Sequence, residues 1–145
     1  MAHLTAVVGA LSVATSCFFS SDSETGRVVG IINTGGSGTT VIEAPDTVRL
    51  GATFAAIVNS FGNGCTTPDG VKLTLLPDEA RVIPFDRVPT DDDVICADYL
   101  AALPHPVALH FTQQGTATIV ADGMVYGTNF ERARGTVSKT VVVVP

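Results

Sequence analysis

Residues 107–121 read VALHFTQQGTATIVA. Apolar residues alternate with smaller or more polar ones on both sides of a Gly-containing turn at residues 113–115. This period of two is that of a β-strand with one buried face, since a helix would need a period near 3.6. The stretch therefore predicts two strands joined by a tight turn. The apolar set consists of Val107, Leu109, Phe111, Ala117, Ile119 and Ala121.

Similar short segments recur along the rest of the chain and predict further strands. Residues 71–75 alternate apolar and polar side chains before a Pro-Asp turn, and residues 81–85 resume the alternation. The chain ends in a Val-rich run over residues 140–144. Its 20 valines and 18 threonines are β-branched residues, which strands favour. About eight or nine strand candidates at fairly regular spacing predict an all-β fold, an antiparallel β-sandwich.

Residues 94–103 are the exception to this pattern. Ile95, Tyr99 and Leu103 are spaced as on one face of a helix, and acidic residues precede them. Pro104 then supplies a stop signal. The sequence therefore predicts one short helical connector over residues 94–103, between the sheets.

The amino end has the pattern of an export signal. Residues 4–15 form an uncharged apolar run that is too short to cross a bilayer about 30 Å thick. The small residues Ala14 and Ser16 mark a cleavage site just before Cys17. Although no Lys or Arg precedes the run, the pattern predicts a signal peptide over residues 1–16 and an exported protein.

Two kinds of export signal share this cleavage site. Residues 14–17 satisfy the rule for an ordinary signal peptidase and also resemble a bacterial lipobox, although a typical lipobox has Leu in place of Ala14. The chain has three cysteines, and lipidation of Cys17 would leave an even pair. We therefore expect a lipid anchor at Cys17, a flexible tether over 17–26 and a folded domain over 27–145. The domain would then sit on the periplasmic or extracellular side of a membrane.

The other two cysteines, Cys65 and Cys96, are expected to form a disulfide. An exported chain is oxidised, and closing a loop of this length stabilises a fold by roughly 3–4 kcal/mol in the chain-entropy model. A metal or redox pair is the alternative, but the sequence has no Cys-x-x-Cys motif and no histidine close to either cysteine.

The charge of the chain excludes one class of partner. It has 14 acidic and 8 basic residues and a net charge of −6. A nucleic-acid binder needs a surplus of Lys and Arg to displace counterions from phosphates. The sequence therefore predicts that the protein does not bind nucleic acid.

Asp86, Asp91, Asp92 and Asp93 form the densest acidic cluster and are candidate Ca²⁺ ligands. Their spacing lacks the regular Asp-x-Asp-x-Asp-Gly order of an EF-hand loop. A solvated loop is the interpretation we favour, and the sequence predicts neither a metal nor another cofactor.

The histidines do not form a recognisable catalytic or copper site. His105 lies between two prolines and is predicted to be in a loop, whereas His110 takes an outward position in a strand. Cys96, the two histidines and Met124 are too far apart in the chain for a blue-copper loop. Motifs such as Gly-x-Ser-x-Gly are absent from the sequence. A triad can still be assembled from distant residues, because geometry and not chain order defines it.

Two segments carry a resemblance to a known kind of domain. Residues 44–54 read APDTVRLGATF and resemble the opening of many bacterial immunoglobulin-like domains. Residues 111–119 resemble the hairpin that leads into the penultimate strand of those domains. Over residues 27–145 the chain is similar to uncharacterised bacterial lipoproteins of this type. The resemblance implies an immunoglobulin-like β-sandwich of about seven to nine strands with Greek-key connections, located outside the cytoplasm, and no particular ligand.

These features favour a non-enzymatic lipoprotein of the cell envelope that acts as a binding or structural module. Its expected partners are the membrane, through the lipid anchor, and a protein or glycan ligand. The alternative is a small exported hydrolase or metal-binding protein that uses His105, His110 and nearby aspartates. A deep polar pocket that converges on both histidines would favour the alternative, and scattered histidines would favour the module.

Replacing Cys17 tests the anchor. We expect Cys17→Ala to block lipid incorporation and to release a folded, soluble domain, because several acyl chains on one residue are what makes anchoring stable. The melting temperature should stay nearly unchanged, since residues 20–26 have the polar composition of a tether and place no apolar residue in the core. Metabolic labelling with a fatty acid and mass spectrometry provide the measurement. An unmodified Cys17 in the native protein would contradict the prediction.

Overall fold

The computed structural model describes residues 24–33, 40–126, 129 and 131–145. Within these ranges the chain is all-β, without a helix, and so without a helix that could cross a membrane. The strands are β1 Thr25–Val29, β2 Ile31–Asn33, β3 Ile42–Glu43, β4 Thr47–Arg49, β5 Phe54–Gly62, β6 Thr67–Leu75, β7 Glu79–Pro89, β8 Ala101–Leu109, β9 Gly115–Tyr126 and β10 Arg132–Val144. Strand β1 begins at Thr25, so it includes the last two residues of the segment 17–26 predicted to be a tether.

The strands form one mixed sheet that curls into a half-barrel. Three antiparallel pairs make up most of it: β5 with β8, β6 with β7, and β9 with β10. In the longest of these, Gly115 of β9 pairs with Val143 of β10, and Tyr126 pairs with Arg132. The turn predicted between residues 107–111 and 117–121 joins β8 to β9. These two strands do not pair with each other, since β8 pairs with β5, and β9 pairs with β2, β7 and β10.

The prediction of an all-β fold is confirmed, but the finer prediction of an antiparallel, immunoglobulin-like sandwich is not. β7 runs parallel to β9, β2 runs parallel to β9, and β4 runs parallel to β10. Ile31 of β2 pairs with Phe61 of β5 on one side and with Met124 of β9 on the other. Because β2 is hydrogen-bonded to both, it joins what would otherwise be two separate layers into a single sheet.

Gly30 is the point at which the chain crosses from β1, beside β7, to β2. Its N–H donates to the carbonyl of Pro84 at 2.9 Å, and its carbonyl accepts from the N–H of Met124 at 2.9 Å. A Cβ at this position would lie 2.8 Å from the Cβ of Ser60 and 2.9 Å from Oδ2 of Asp86. Only glycine therefore fits where the backbone passes this close to its neighbours.

The hydrophobic core follows the period of two that the sequence predicts. The apolar set of residues 107–121 is buried, and Leu109, Phe111, Ile119 and Ala121 are fully buried. They pack with inward-facing side chains from most of the other strands. These further core residues include Ile32, Val58, Val82, Val141 and Val143.

The helical connector predicted over residues 94–103 is wrong. Residues 94–100 form neither helix nor strand, and residues 101–103 already belong to β8, where Leu103 is buried. Ile95 and Tyr99 are 97% and 58% exposed, so no apolar stripe packs against the core as a helix would require. Strand β8 continues through Pro104 because it bonds only to β5 among the described strands, and an edge strand tolerates missing N–H donors.

Adding one methyl group at the crossing tests how closely the backbones approach. We expect Gly30→Ala to lower the free energy of unfolding by about 1–3 kcal/mol, because the new Cβ overlaps Ser60 and Asp86. Gly26→Ala is the matched control, since its Cβ would meet only the end of the Thr90 side chain, at 3.0 Å. Chemical denaturation of the oxidised proteins provides the measurement. Equal stabilities of the two variants would contradict the prediction.

Candidate functional site

Three polar side chains meet inside the half-barrel: Ser60 from β5, Asp86 from β7 and His105 from β8. Ser60 is 0% exposed, and the other two are 2% exposed. The Ser60 hydroxyl donates to Oδ1 of Asp86 at 2.9 Å. Nε2 of His105 lies 2.9 Å from the Ser60 Oγ and 3.1 Å from the same Oδ1. We call these three residues the polar cluster.

The strand periodicity places each member of the cluster. His105 was predicted to be in a loop, and this is wrong: it occupies an inward position of β8, two residues after Leu103 and two before Val107, both buried. Asp86 likewise follows the buried Pro84 at a spacing of two in β7. Continuing the alternation of residues 107–111 back through the prolines would have found His105 from the sequence.

The cluster supplies hydrogen-bond partners to the buried carboxyl group of Asp86. An ionised carboxyl group without partners is very unfavourable in a protein interior, whereas hydrogen bonds from neighbouring side chains offset that cost. Both contacts go to Oδ1 of Asp86. On the other side of the imidazole, Nδ1 of His105 is buried and has no hydrogen-bond partner among the described residues.

The geometry differs from that of a hydrolytic triad. In a triad the carboxylate binds Nδ1 of the histidine and the serine binds Nε2, at opposite ends of the ring. Here Ser60 and Asp86 both contact Nε2 of His105, and the serine is inaccessible. The arrangement therefore gives the serine neither a correctly oriented base nor access to a substrate.

The other predicted candidates are not brought into this cluster. His110 is exposed one residue beyond β8, so the two histidines do not converge. Asp91, Asp92 and Asp93 are exposed in the segment after β7, whereas Asp86 is buried. The described part of the chain holds no group of three or more His, Cys, Asp or Glu side chains that could bind a metal. Cys17, the predicted lipidation site, lies outside the described residues.

A cleft of about 940 Å³ opens beside the polar cluster, and Asp86 belongs to both. Its walls come from β1, β2, the end of β5 and the loop after it, the end of β7 and the segment after it, and the paired ends of β9 and β10. Much of the lining is apolar, and two side chains of its outer wall, Tyr99 and Leu100, are each 58% exposed. The apolar lining residues include Val29, Ile31, Phe61, Val88, Tyr99, Leu100 and Met124.

The predicted disulfide between Cys65 and Cys96 is present, with the two Cα atoms 5.4 Å apart. It joins the loop after β5 to the irregular segment that forms the outer wall of the cleft. The N–H of Gly64 also donates to the carbonyl of Ala97 at 3.1 Å. These two links hold in place a wall that has no strand pairing of its own.

The serine of the cluster should be chemically inert. We expect no covalent labelling of the folded protein by a fluorophosphonate serine probe, because Ser60 is buried and its proton is directed to Asp86. An active serine hydrolase in the same mixture serves as the positive control. A labelled peptide that contains residue 60 and disappears in Ser60→Ala would contradict the prediction.

Comparisons with known proteins give no match. No protein-family model matches the chain, and neither does any curated protein or any solved structure.

Proposed function

We propose that this chain is an exported, non-enzymatic binding module that holds a small, largely apolar ligand in the cleft beside Asp86. The observation that carries the proposal is the cleft itself. Its volume of about 940 Å³ lies within the range of roughly 300–1,000 Å³ that is usual for small-molecule sites. The lining combines apolar side chains with polar and charged ones, so it can hold an apolar body and orient a polar group.

The distribution of exposed apolar side chains supports the same site. Val28, Tyr99 and Leu100 line the cleft although they are 40%, 58% and 58% exposed. Ile95, which is 97% exposed, lies in the same chain segment as Tyr99 and Leu100 but does not line the cleft. Grouped apolar exposure of this kind marks interaction sites more often than isolated residues do. Elsewhere in the described ranges, the exposed large apolar residues are Leu50, Leu76 and Val142.

Export is supported by the disulfide and by the amino-terminal sequence. Disulfides persist in oxidising compartments, and here Cys65 and Cys96 form one. We propose that residues 1–16 are a signal peptide and that Cys17 carries a lipid, which holds the module on the periplasmic or extracellular side of a membrane. The chain would then resemble bacterial envelope lipoproteins with immunoglobulin-like domains, although its parallel β7–β9 pairing departs from a purely antiparallel sandwich.

The alternative of a small exported hydrolase or metal-binding protein has less support. It requires His105 and His110 to act together with aspartates, but one histidine is buried in β8 and the other is exposed beyond it. A ligand in the cleft would meet Asp86 and not the serine, because Asp86 belongs to the lining and Ser60 does not.

A neutral apolar dye tests the cleft. We expect Nile red to bind the oxidised full-length chain with a blue-shifted, enhanced emission. Leu100→Ser should weaken that binding about fivefold or more, because it removes part of the apolar wall. Leu76→Ser is the matched control, since Leu76 is similarly exposed, at 52%, but does not line the cleft. Equal losses in the two variants, or no binding by the parent chain, would refute the proposed function.

A further inference from the structure

We infer that the ligand of this cleft is a small hydrophobic cation, a molecule with one positive charge on an apolar body. The inference rests on the proposed function and adds the chemical class of the ligand. Four aspartates line the cleft, against two arginines. The four are Asp86, Asp91, Asp92 and Asp98.

The acidic side of the cleft is not neutralised by basic side chains. Asp91, Asp92 and Asp98 form no ion pair with any residue that the structure describes, unlike Asp69 and Asp122 on the outer surface of the sheet. Asp91 accepts one hydrogen bond, from the backbone N–H of Asp93 at 3.0 Å, which leaves its charge uncompensated. A cation entering the cleft would therefore meet a favourable field.

The two arginines of the lining are already engaged. Nη1 of Arg134 lies 3.5 Å from Oδ1 of Asp122, a residue outside the lining. The Nε–H of Arg132 donates to the Tyr126 hydroxyl at 3.1 Å, and its guanidinium lies 5.5 Å from the centre of the Tyr126 ring. Arg134 is thus paired with an aspartate, whereas Arg132 contacts a neutral side chain. Among the described residues, three aspartates of the lining and one of its arginines have no ion pair, which favours a cationic over an anionic ligand.

Asp86 supplies a buried anchor for the charge. Both of its hydrogen bonds from described residues go to Oδ1, so Oδ2 is the oxygen that is left for a ligand. The residue is 2% exposed and lines the cleft. Gly30 approaches Oδ2 closely, and a Cβ at that position would lie 2.9 Å from it, so a larger residue would crowd this oxygen. Charge interactions are stronger at such a site than at the surface, since the local dielectric constant is lower.

Aromatic rings provide the second contact that an apolar cation prefers. Tyr99, which is 58% exposed, and Tyr126 both line the cleft. Arg132 already lies 5.5 Å from the centre of the Tyr126 ring, so Tyr99 is the ring that is left for a ligand. Cations bind to ring faces in this way, and cages of such rings select quaternary ammonium groups.

Two probes of nearly the same shape and opposite charge test the inference. The binding of tetraphenylphosphonium and of tetraphenylborate to the oxidised full-length chain is measured by equilibrium dialysis. We expect the cation to bind about tenfold more tightly than the anion, and added salt to reduce this ratio. Similar affinities, or tighter binding of the anion, would overturn the inference.

Charge-removing variants assign the preference to the cleft. The double variant Asp92→Asn/Asp98→Asn should weaken binding of the phosphonium severalfold, and Asp78→Asn, in the exposed turn between β6 and β7, should not change it. Leu100→Ser should weaken binding of both probes. An equal loss in Asp78→Asn and in the double variant would overturn the inference.

The neutral dye separates failure of the inference from failure of the proposed function. If Nile red binds in a manner that depends on Leu100 but the two ions bind equally, the binding module stands and the charge preference is wrong. If neither the dye nor the ions bind because a second copy of the chain or residues 1–23 cover the cleft, both proposals are overturned. Light scattering identifies the first of these two occupants.

Discussion

The carboxylate of Asp86, buried in the interior of the half-barrel, is the constraint to which the rest of the structure must conform. A buried carboxyl group needs hydrogen-bond partners, and here Ser60 and His105 supply them. These partners come from β5 and β8, on the opposite side of the curled sheet from β7. The hydrogen bonds therefore fix the distance and orientation between the two sides in a way that apolar packing alone does not.

The same carboxylate explains the path of the first strands and the position of the cleft. The chain must pass Ser60 and Asp86 between β1 and β2, and it does so at Gly30, the residue type without a Cβ. Strand β2 then bonds to both β5 and β9 and completes the continuous sheet. The cleft lies beside this crossing, between Val29 and Ile31 on one side and the segment that carries Cys96 on the other.

The elements that local sequence patterns determine were predictable, and the contacts between distant segments were not. The alternation in residues 107–121 predicts buried positions that the structure confirms, and the cysteine count predicts the disulfide. The spacing of Ile95, Tyr99 and Leu103 misled, because the same residues also fit an exposed loop followed by an edge strand.

The polar cluster lay beyond sequence reasoning for a physical reason. Ser60, Asp86 and His105 are far apart in the chain, and their meeting depends on strand order and register. Parallel pairing of β7 with β9 sets part of that order, and no turn signal specifies it. The alternation of β8 does predict an inward position for His105, because Leu103, Val107 and Leu109 point to the same face. The prolines on both sides of His105 hide this pattern, since proline is uncommon within a strand.

The most direct test of this account is a double-mutant cycle between Asp86 and His105, measured by chemical denaturation of the oxidised protein. The account predicts that Asp86→Ala or His105→Ala alone lowers the free energy of unfolding by about 3–5 kcal/mol, because each leaves a buried polar group without its partner. The double variant should lose less than the sum of the two, with a coupling free energy of about 1–3 kcal/mol. Losses that add to within about 0.5 kcal/mol would show that the two side chains are stabilised independently and would contradict the account.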